Sequence, residues 1–548
     1  MPQDAFTLRI NALELNAALS GGRINRINQP SREELSFIIY TGTHTVKLVL
    51  NTNARDCGAY FTEDERENPL VAPGFCMLLR KHLQSAEILE VSTLGFERIL
   101  CFKLLCTSDF SSCERVLYAE IMGKYSNLIL TEKGVVLGAL KMTSLDENCK
   151  RAILAGVKYT LPAPQDKVNP LDFAALQTVL KEADGDRARF LFTHVAGLAP
   201  STAEMIVSSY KGGDFAKHVY DFIFSNECEP CVTQTDFFAR KVEGGIPFPT
   251  LSAAQTYFYT KRRAEAQFAQ LKRKLESAAS TAVKKHEKRL ALILERKTAA
   301  SGAEENRVKG ELLTANLYRL EKGMKSCVLD NYYDGTELKI TLDPLLTPNE
   351  NAQQYYKKYR KQKRTLEALE PQEREVKQEL DYAESLLAAV EVSASMDDLR
   401  SLEEEMLAAE LLRAPQEKSR KKKAEIPYRT FEKNGFRIFA GRNNLQNDRL
   451  VKSSAENDIW LHTQKYHSCH VVIKTEGKKV PDEVLLYAAE ICVKFSSSKG
   501  GRVPVDYCPV KFVKKPPKAK AGFVVYTDYK TVLVDPPEDS TLFPDKNA

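Results

Sequence analysis

The sequence predicts a multidomain α+β protein with a long antiparallel coiled coil between its terminal domains. Three observations predict it. The 548 residues exceed what one hydrophobic core usually serves. Both ends carry short β-prone runs and single helices punctuated by Gly and Pro, whereas the middle carries two long charged stretches with apolar residues at three- and four-residue steps. Hydrophobic residues make up 43% and charged residues 28% of the chain, the balance of an ordinary soluble globular protein.

From the N-terminus, residues 35–40 and 45–50 read as two β-rich runs joined by a TGTH turn. FCMLLRKHL (75–83) reads as an amphipathic helix whose basic C-terminal end suits the helix dipole. Further strands are expected at 87–91, 98–105, 116–121 and 128–131, which makes residues 1–168 a compact α+β domain. Residues 169–256 read as short helices. HVAGLAPSTAEMIV (194–207), with Ser201 as the expected N-cap, suits a helix-hairpin-helix unit presenting backbone amides to phosphate, or a plain helical turn. In residues 257–412, Phe268, Leu271, Leu275, Ala278 and Ala282, then Leu290 and Leu294, make one stripe. Tyr356 and Tyr359, then Leu380, Ala383, Leu387 and Val390, make another. Two helices of roughly 50–60 residues would reach roughly 80–90 Å at about 1.5 Å per residue. Gly302 and Gly310 are expected to interrupt the first helix and Pro371 to kink the second. Asp334-Gly335 signals a hairpin in a strand-bearing tip module at about 324–348. Residues 413–427 form a basic linker. Residues 428–548 form a second α+β domain, with strands at 436–440, 459–461, 470–473, 523–526 and 531–534 and a helix at 481–495.

A net charge of +6 is too mild to identify a polyanion binder, so its distribution must decide. Residues 261–300 hold 12 Lys and Arg against 4 Asp and Glu, an excess of eight positive charges. KFVKKPPKAKAG (511–522) is a second basic strip. Together they resemble an extended phosphate-binding surface, and the bland alternative is a solvated helix face and loop. The 12 cysteines, among them Cys57, Cys76, Cys101, Cys106, Cys113 and Cys149, show no pairing rhythm and point to a reducing compartment. Cys228 and Cys231 form a CxxC with no second pair to complete a thiolate site, so no metal and no cofactor are expected. MPQDAFTLRI has no signal-peptide character and no apolar run approaches the length of a membrane span. The expectation is a cytoplasmic chain without a membrane partner.

Nine segments match one family in chain order. They are GGRINRINQP (21–30), NPLVAPGFCMLLRKHL (68–83), FERIL (96–100), EIMGKYSNLIL (120–130), GELLTANLY (310–318), LDPLLTPNENAQQYYKKYRK (342–361), GRNNLQNDRL (441–450), DIWLHTQKYHSCHVVI (458–473) and VDYCPVKFVKKPPKAKAGFVVY (505–526). The sequence closely resembles the NFACT family over nearly its whole length. The resemblance implies an N-terminal domain with a fold like that of formamidopyrimidine-DNA glycosylases, a helix-hairpin-helix unit, a coiled coil and an NFACT-R domain. It implies a role in ribosome-associated quality control. The partners would be the large ribosomal subunit obstructed by peptidyl-tRNA, tRNA, rRNA and a small RNA-binding accessory protein. The outcome would be template-free C-terminal tailing, with alanine from tRNA-Ala in bacteria. No catalytic residue is implied, because bond formation is delegated to the ribosome.

The family's Asp-Arg pair for tRNA engagement aligns with Glu97-Arg98, where Glu departs from the usual Asp by one methylene. Asp4 aligns with an N-terminal acidic position. Arg23, Arg80 and Lys81 are the other candidates for tRNA contact, with helix capping as the alternative for Arg80 and Lys81. Lys272, Arg273, Lys284, Lys285, Lys511, Lys514, Lys515, Lys518 and Lys520 are candidates for the rRNA or tRNA backbone. Glu120, Gly123, Ser126 and Asn127 suit a structural strand-turn-strand, and Asn443, Asn444, Asn447 and Asp448 a polar turn. Trp460 reads as core beside His462, with base stacking as the alternative. His462, Cys469 and His470 raise a metal site without a fourth ligand, and Ser468-Cys469-His470 stands where the family has Gly-Ser-His. Two other functions stay open. A glycosylase or lyase would use the amine of Pro2, but Gln3 follows where an acidic partner belongs. A fibronectin-binding surface adhesin would need an export route the sequence does not display.

Overall fold

Residues 3–108, 111–144, 151–163, 165–183, 185–413, 426–498 and 500–536 are described by a computed structural model of the chain. Pro2, Cys149 and nearly all of the basic linker, residues 414–425, lie outside the described residues. The chain divides into two units, residues 1–264 and 265–548.

The first unit opens with helix α1 (Ala5–Leu19), which the strand-and-helix reading of the sequence missed. Its residues Leu8, Leu15 and Leu19 enter one core and Phe6 and Ile10 a second. A helix buried on both faces shows no amphipathic stripe, so periodicity has nothing to detect. Nine strands follow: β1 (Arg23–Ser31), β2 (Glu34–Tyr40), β3 (Thr45–Asn51), β4 (Gly58–Phe61), β5 (Glu87–Thr93), β6 (Ile99–Ser108), β7 (Ser111–Glu120), β8 (Asn127–Glu132) and β9 (Val135–Ala139). They form one antiparallel sheet in the order β4-β3-β2-β1-β5-β6-β7-β8-β9. Helix α2 (Gly74–Leu83) packs Cys76, Leu79 and Leu83 into the same core as the inward strand residues. The Glu120 carboxylate, buried at the end of β7, takes both Arg151 guanidinium nitrogens (3.0 and 2.6 Å) and the Tyr159 hydroxyl (2.8 Å). Gly123 turns the chain at φ +60°, in accord with the structural reading of that motif.

Helices α3 (Phe173–Leu180), α4 (Arg187–His194), α5 (Pro200–Ser209) and α6 (Phe215–Phe224) share the second core with α1, Val49 and Tyr60. A small sheet of β10 (Cys231–Val232), β11 (Phe237–Phe238) and β12 (Ile246–Pro247) follows. The Cys231 thiol is buried against the Val242 amide (3.3 Å). The N-cap of α5 is Ala199 with Pro200 in the first turn, not Ser201, because Pro pre-sets the helical φ one residue earlier. Helix α7 (Leu251–Ala300) starts in this unit and continues into the next. Glu14 of α1 caps it, with carboxylate oxygens accepting from the Leu251 and Ser252 amides at 2.7 and 3.0 Å.

In the second unit α7 is followed by α8 (Ala303–Ala315), hairpin β13 (Ser326–Asn331) and β14 (Thr336–Thr341), α9 (Pro348–Val392) and α10 (Met396–Ala408). Asp334-Gly335 makes the predicted turn, Gly335 at φ +72°. Leu329 and Ile340 of the hairpin pack on Leu312 and Leu313 of α8. Gly302 separates α7 from α8 as expected, but Gly310 does not interrupt anything. It lies inside α8, where an added Cβ would stand 3.2 Å from the Tyr356 ring. α9 runs through Pro371 as one helix. α7 and α9 pass antiparallel, as Lys297–Glu373 (2.8 Å), Arg289–Glu379 (3.3 Å) and the Lys272 amine on the Glu391 carbonyl (2.8 Å) show. Leu275, Ala279, Leu386 and Val390 close one buried cluster, Ile293, Leu369 and Val376 another. Leu294, placed in the sequence stripe, is exposed, and Ile293 takes the buried position beside it. The shift after Ala282 carried the stripe one residue too far.

The C-terminal part has a six-stranded antiparallel sheet in the order β15-β16-β18-β17-β19-β22. Its elements are β15 (Arg429–Lys433), β16 (Phe436–Ala440), α11 (Asn444–Lys452), β17 (Ile459–Thr463), β18 (Val471–Ile473), α12 (Asp482–Lys494), β19 (Val503–Pro509) and β22 (Lys530–Val534), with a ribbon of β20 (Val513–Lys514) and β21 (Val525–Tyr526). α12 packs on one face of the sheet over Leu461, Val471 and Ile473. Trp460 and Val472 belong to a separate cluster with Leu450, Cys508 and Val513. Asn443–Asp448 is not a polar turn: Asn443 caps α11 through its side chain on the Gln446 amide (2.7 Å), and the rest is helix.

Candidate nucleic-acid interface

Glu97 and Arg98 sit in the short loop between β5 and β6. Gly95 at φ +62° bends the loop, and the Leu94 amide closes it on the Ile99 carbonyl at 3.1 Å. Phe96 anchors it: the ring is buried, lies 5.9 Å from the Phe224 ring, and leaves no space at Gly197, where a Cβ would meet it at 2.8 Å. The Arg98 carbonyl accepts from the Ile121 amide at 2.8 Å. The backbone is therefore held on both sides. Meanwhile both side chains remain half-buried without a hydrogen bond or ion pair among the described residues. Among the described residues, the mutual or neighbouring surface ion pair that would make this pair merely structural is not formed. A fixed loop carrying an unpaired carboxylate beside an unpaired guanidinium offers an acceptor for base amino groups and a donor fork for phosphate or a base edge.

The Ile121 contact brings a further pair to this end of the sheet. Lys124 and Tyr125 lie in the β7–β8 turn, with Tyr125 71% exposed and the Lys124 amine 4.8 Å from its ring centre. An exposed aromatic beside a cation suits stacking on an unpaired base. The sequence reading passed over it because GKYS carries a turn signal that explains itself.

The other N-terminal candidates are dispersed. Asp4 is a correction: it is buried, its Oδ1 caps α1 through the Thr7 amide (2.8 Å), and its Oδ2 accepts from the Ala199 amide (3.0 Å). Both oxygens are committed, and the Ala199 amide of the 195–199 turn is thereby withdrawn from any phosphate. Arg23 faces Glu87 at the start of β5, with the ion pair at 3.6 Å. That is the opposite end of the strand from Arg98, about 20 Å away at ~3.3 Å per residue. Arg80 donates Nε to the Ile27 carbonyl (2.7 Å) and Nη2 to Asn28 Oδ1 (3.3 Å), which ties α2 to β1. Lys81 is exposed and unpaired among the described residues.

The basic excess of α7 is partly answered by carboxylates of α9 and α10. Lys272 caps the end of α9 at the Glu391 and Ser393 carbonyls, Lys274 pairs with Glu403 (2.7 Å), and Arg289 and Lys297 pair with Glu379 and Glu373. Lys272 is therefore corrected from phosphate contact to a helix C-cap. Arg273, Lys284 and Lys285 stay exposed and unpaired among the described residues.

In the C-terminal part, Asp448 of α11 organises the basic loop. It pairs with Lys515 and accepts from the Gly522 amide (3.1 Å), so both ends of 515–522 are held by one carboxylate. Lys515 is committed to that pair. Lys511, Lys514, Lys518 and Lys520 project as exposed cations, Lys511 over the Phe512 ring and Lys520 over the Tyr382 ring. α10 meets this domain at Asp398, whose Oδ1 takes Arg442 Nη1 at 2.6 Å and Arg429 Nη2 at 2.8 Å, all three side chains nearly fully enclosed. Burial works to raise the Asp398 carboxyl, but the two guanidiniums hold it below its usual range. Trp460 is fully buried, as its core reading requires. Burial lowers His462 to about 4 and pushes His470 well below its ordinary value. Among the described residues no group of three or more His, Cys, Asp or Glu side chains is disposed to hold a metal. Among them also, no helix is long and apolar enough to cross a membrane.

Residues 4–425 match the NFACT N-terminal and middle domains, and residues 427–527 match the NFACT protein RNA binding domain. The chain is 34% identical to the Rqc2 homolog RqcH of Bacillus subtilis over 96% of its own length and 97% of that protein. It is 32% identical to the RqcH of Streptococcus suis over 98% of this chain and 99% of that one. The N-terminal part of the fibronectin/fibrinogen-binding protein from Streptococcus suis is similar at 29% identity, 47% of this chain, 99% of that chain and a TM-score of 0.44. Continuous matches across both halves, in the chain order of the motifs, place this protein in the NFACT family, with an RNA-binding domain at its C-terminal end.

Proposed function

We propose that this chain is a ribosome-associated quality-control factor. It binds the large ribosomal subunit obstructed by peptidyl-tRNA and recruits tRNA, tRNA-Ala in this reading, for template-free C-terminal tailing of the stalled nascent chain. It works in the cytoplasm as an RNA-binding scaffold, and the ribosome's own peptidyl transferase centre forms the bonds. Residues 1–168 act as a glycosylase-like tRNA-holding domain without glycosylase chemistry. The paired helices act as a coiled-coil arm, and residues 428–548 grip RNA backbone.

The observation that carries this reading is the Glu97-Arg98 loop, whose backbone is fixed while both charged side chains lack partners among the described residues. The similarity to RqcH proteins and the RNA-binding domain at 427–527 support the same reading. A structural ion pair would hide its charges in each other, whereas a recognition pair must keep them available. The test is Arg98→Ala in a reconstituted tailing reaction on obstructed large subunits. Tailing is expected to disappear while thermal unfolding stays nearly unchanged, since the Arg98 side chain makes no hydrogen bond or ion pair among the described residues. Tails of wild-type length from the variant would overturn the assignment.

A further inference from the structure

The C-terminal part encloses a cavity of about 280 Å³ that no RNA-backbone role requires. Trp460, His462, His470 and Tyr526 line it, and Lys520 of the basic loop and Tyr382 of α9 contribute to its wall. Trp460 and His462 stand two residues apart on β17, hence on the same face. Their rings are parallel within 3° with centres 5.8 Å apart. The His470 ring stands edge-on to both at 5.3 Å. Two buried polar atoms among these residues have no hydrogen-bond partner among the described residues: the Trp460 Nε1–H and His470 Nδ1. A buried donor left unpaired is a free-energy cost that a bound acceptor removes. Burial keeps both imidazoles neutral; His462 commits its Nδ1–H to the Thr463 carbonyl at 2.7 Å, whereas His470 Nδ1 stays without a partner among the described residues.

The lining therefore selects a flat, uncharged heterocycle with polar edges. Its volume is at the small end of ligand sites, which run from roughly 300 Å³ upward, so its walls hold about one ring system. The wall bears a cation where the basic loop passes: Lys520 lines the cavity yet is exposed, with Lys518 exposed two residues before it. An uncharged heterocycle whose attachment point leads to negative charge is a nucleotide. We propose that this cavity receives one unstacked nucleobase of a bound RNA, with the base edge on Trp460 Nε1–H and His470 and the adjoining phosphates on Lys518 and Lys520. The inference rests on the RNA-binding reading and deepens it, from a surface that reads only phosphate to one that extracts a base.

The chain's one tryptophan lines the cavity, so its emission reports occupancy without a label. The full-length protein is titrated with a short unstructured oligoribonucleotide of mixed sequence and with the same ribose-phosphate backbone lacking bases. Binding is read by anisotropy and occupancy by Trp460 emission. The base-bearing strand is expected to change Trp460 emission saturably and to bind roughly tenfold more tightly than the baseless one. Ala521→Leu, which narrows the cavity from the loop side, is expected to abolish that difference and leave baseless binding unchanged. Lys520→Ala is expected to weaken both strands. Equal affinity for the two strands with silent Trp460 emission overturns the base-receiving cavity and leaves phosphate-led RNA binding standing. No binding of either strand by a protein with wild-type thermal unfolding overturns RNA binding itself, and the cavity proposal with it. If adenosine monophosphate saturates the emission change more tightly than the oligonucleotide, the site serves a free nucleotide and its assignment to RNA is overturned.

Discussion

Removing the Asp398 carboxylate should detach α10 from the C-terminal domain, at a cost the structure allows one to size. Its Oδ1 is shared by Arg429 and Arg442, whose side chains are 4% and 1% exposed. Neither guanidinium can turn to solvent. Arg429 also donates to the Gly441 carbonyl (2.8 Å) and stacks 4.1 Å above the Phe495 ring, and Arg442 donates to the Pro427 carbonyl (2.9 Å). Asp398→Ala would therefore leave two buried cations without their counter-ion. Breaking a buried pair this way costs about 3–5 kcal/mol. With a urea dependence of about 2 kcal/mol per molar, the midpoint should fall by about 2 M. Trp460 belongs to the domain that Arg429 and Arg442 anchor, so its emission follows the relevant transition rather than a chain-wide average. Asp398→Leu combined with Arg429→Met and Arg442→Met should recover most of the loss, because an apolar replacement of a whole buried cluster is often neutral. A midpoint for Asp398→Ala within about 0.3 M of wild type would refute the reasoning. Acid has the same target: a carboxyl held below its ordinary value stabilises above that value, and the contribution is lost as pH falls through the lowered one.

The histidines lose stability in the same direction, on acidification, but over a higher pH range. His462, lowered to about 4 against an unfolded value of 6.5, leaves stability intact above pH 6.5 and removes about 2 kcal/mol by pH 5, with His470 acting in the same direction. Urea midpoints from Trp460 emission that do not fall between pH 7 and 5 would contradict the buried neutral imidazoles. Gly197→Ala should destabilise the first unit by more than about 2 kcal/mol, since the residue has φ +78° and its Cβ would stand 2.8 Å from both Ala5 and Phe96. A thermal midpoint unchanged by that substitution would mean that the Phe96 anchor can yield. Binding to large subunits should weaken steeply with salt, and Lys514→Ala with Lys518→Ala should flatten the slope by about two, one per phosphate contact. A slope equal to wild type would remove the basic loop from the interface.

Much of the site's chemistry was legible as residue types and little of it as geometry. Glu97-Arg98 stood out through a short motif, and the structure adds that Phe96 and Ile121 fix its backbone. Asp4 carried the same kind of signal yet serves a helix cap, because a carboxylate one residue before a helix N-terminus is drawn to free amides. Lys272 looked like its basic neighbours and became the cap of α9, since the helix end it reaches is contributed by a segment some 120 residues away, a distance no local pattern encodes. The cavity around Trp460 was invisible for the same reason: it needs β17, the segment leading into β18, the basic loop and α9 together.

Taken alone, the amino-acid order determined what depends on neighbours along the chain: the Asp334-Gly335 turn, the strands at 436–440 and 459–461, the amphipathic α2 and the two long helices with the positive excess of the first. It also determined the family, because motif order survives whatever the chain folds against. Only tertiary contact decided that α1 is a helix, since a segment buried on both faces carries no period. Only contact decided which cations remain free, since an ion pair is a property of two distant places meeting and pairing withdraws a charge that composition still counts.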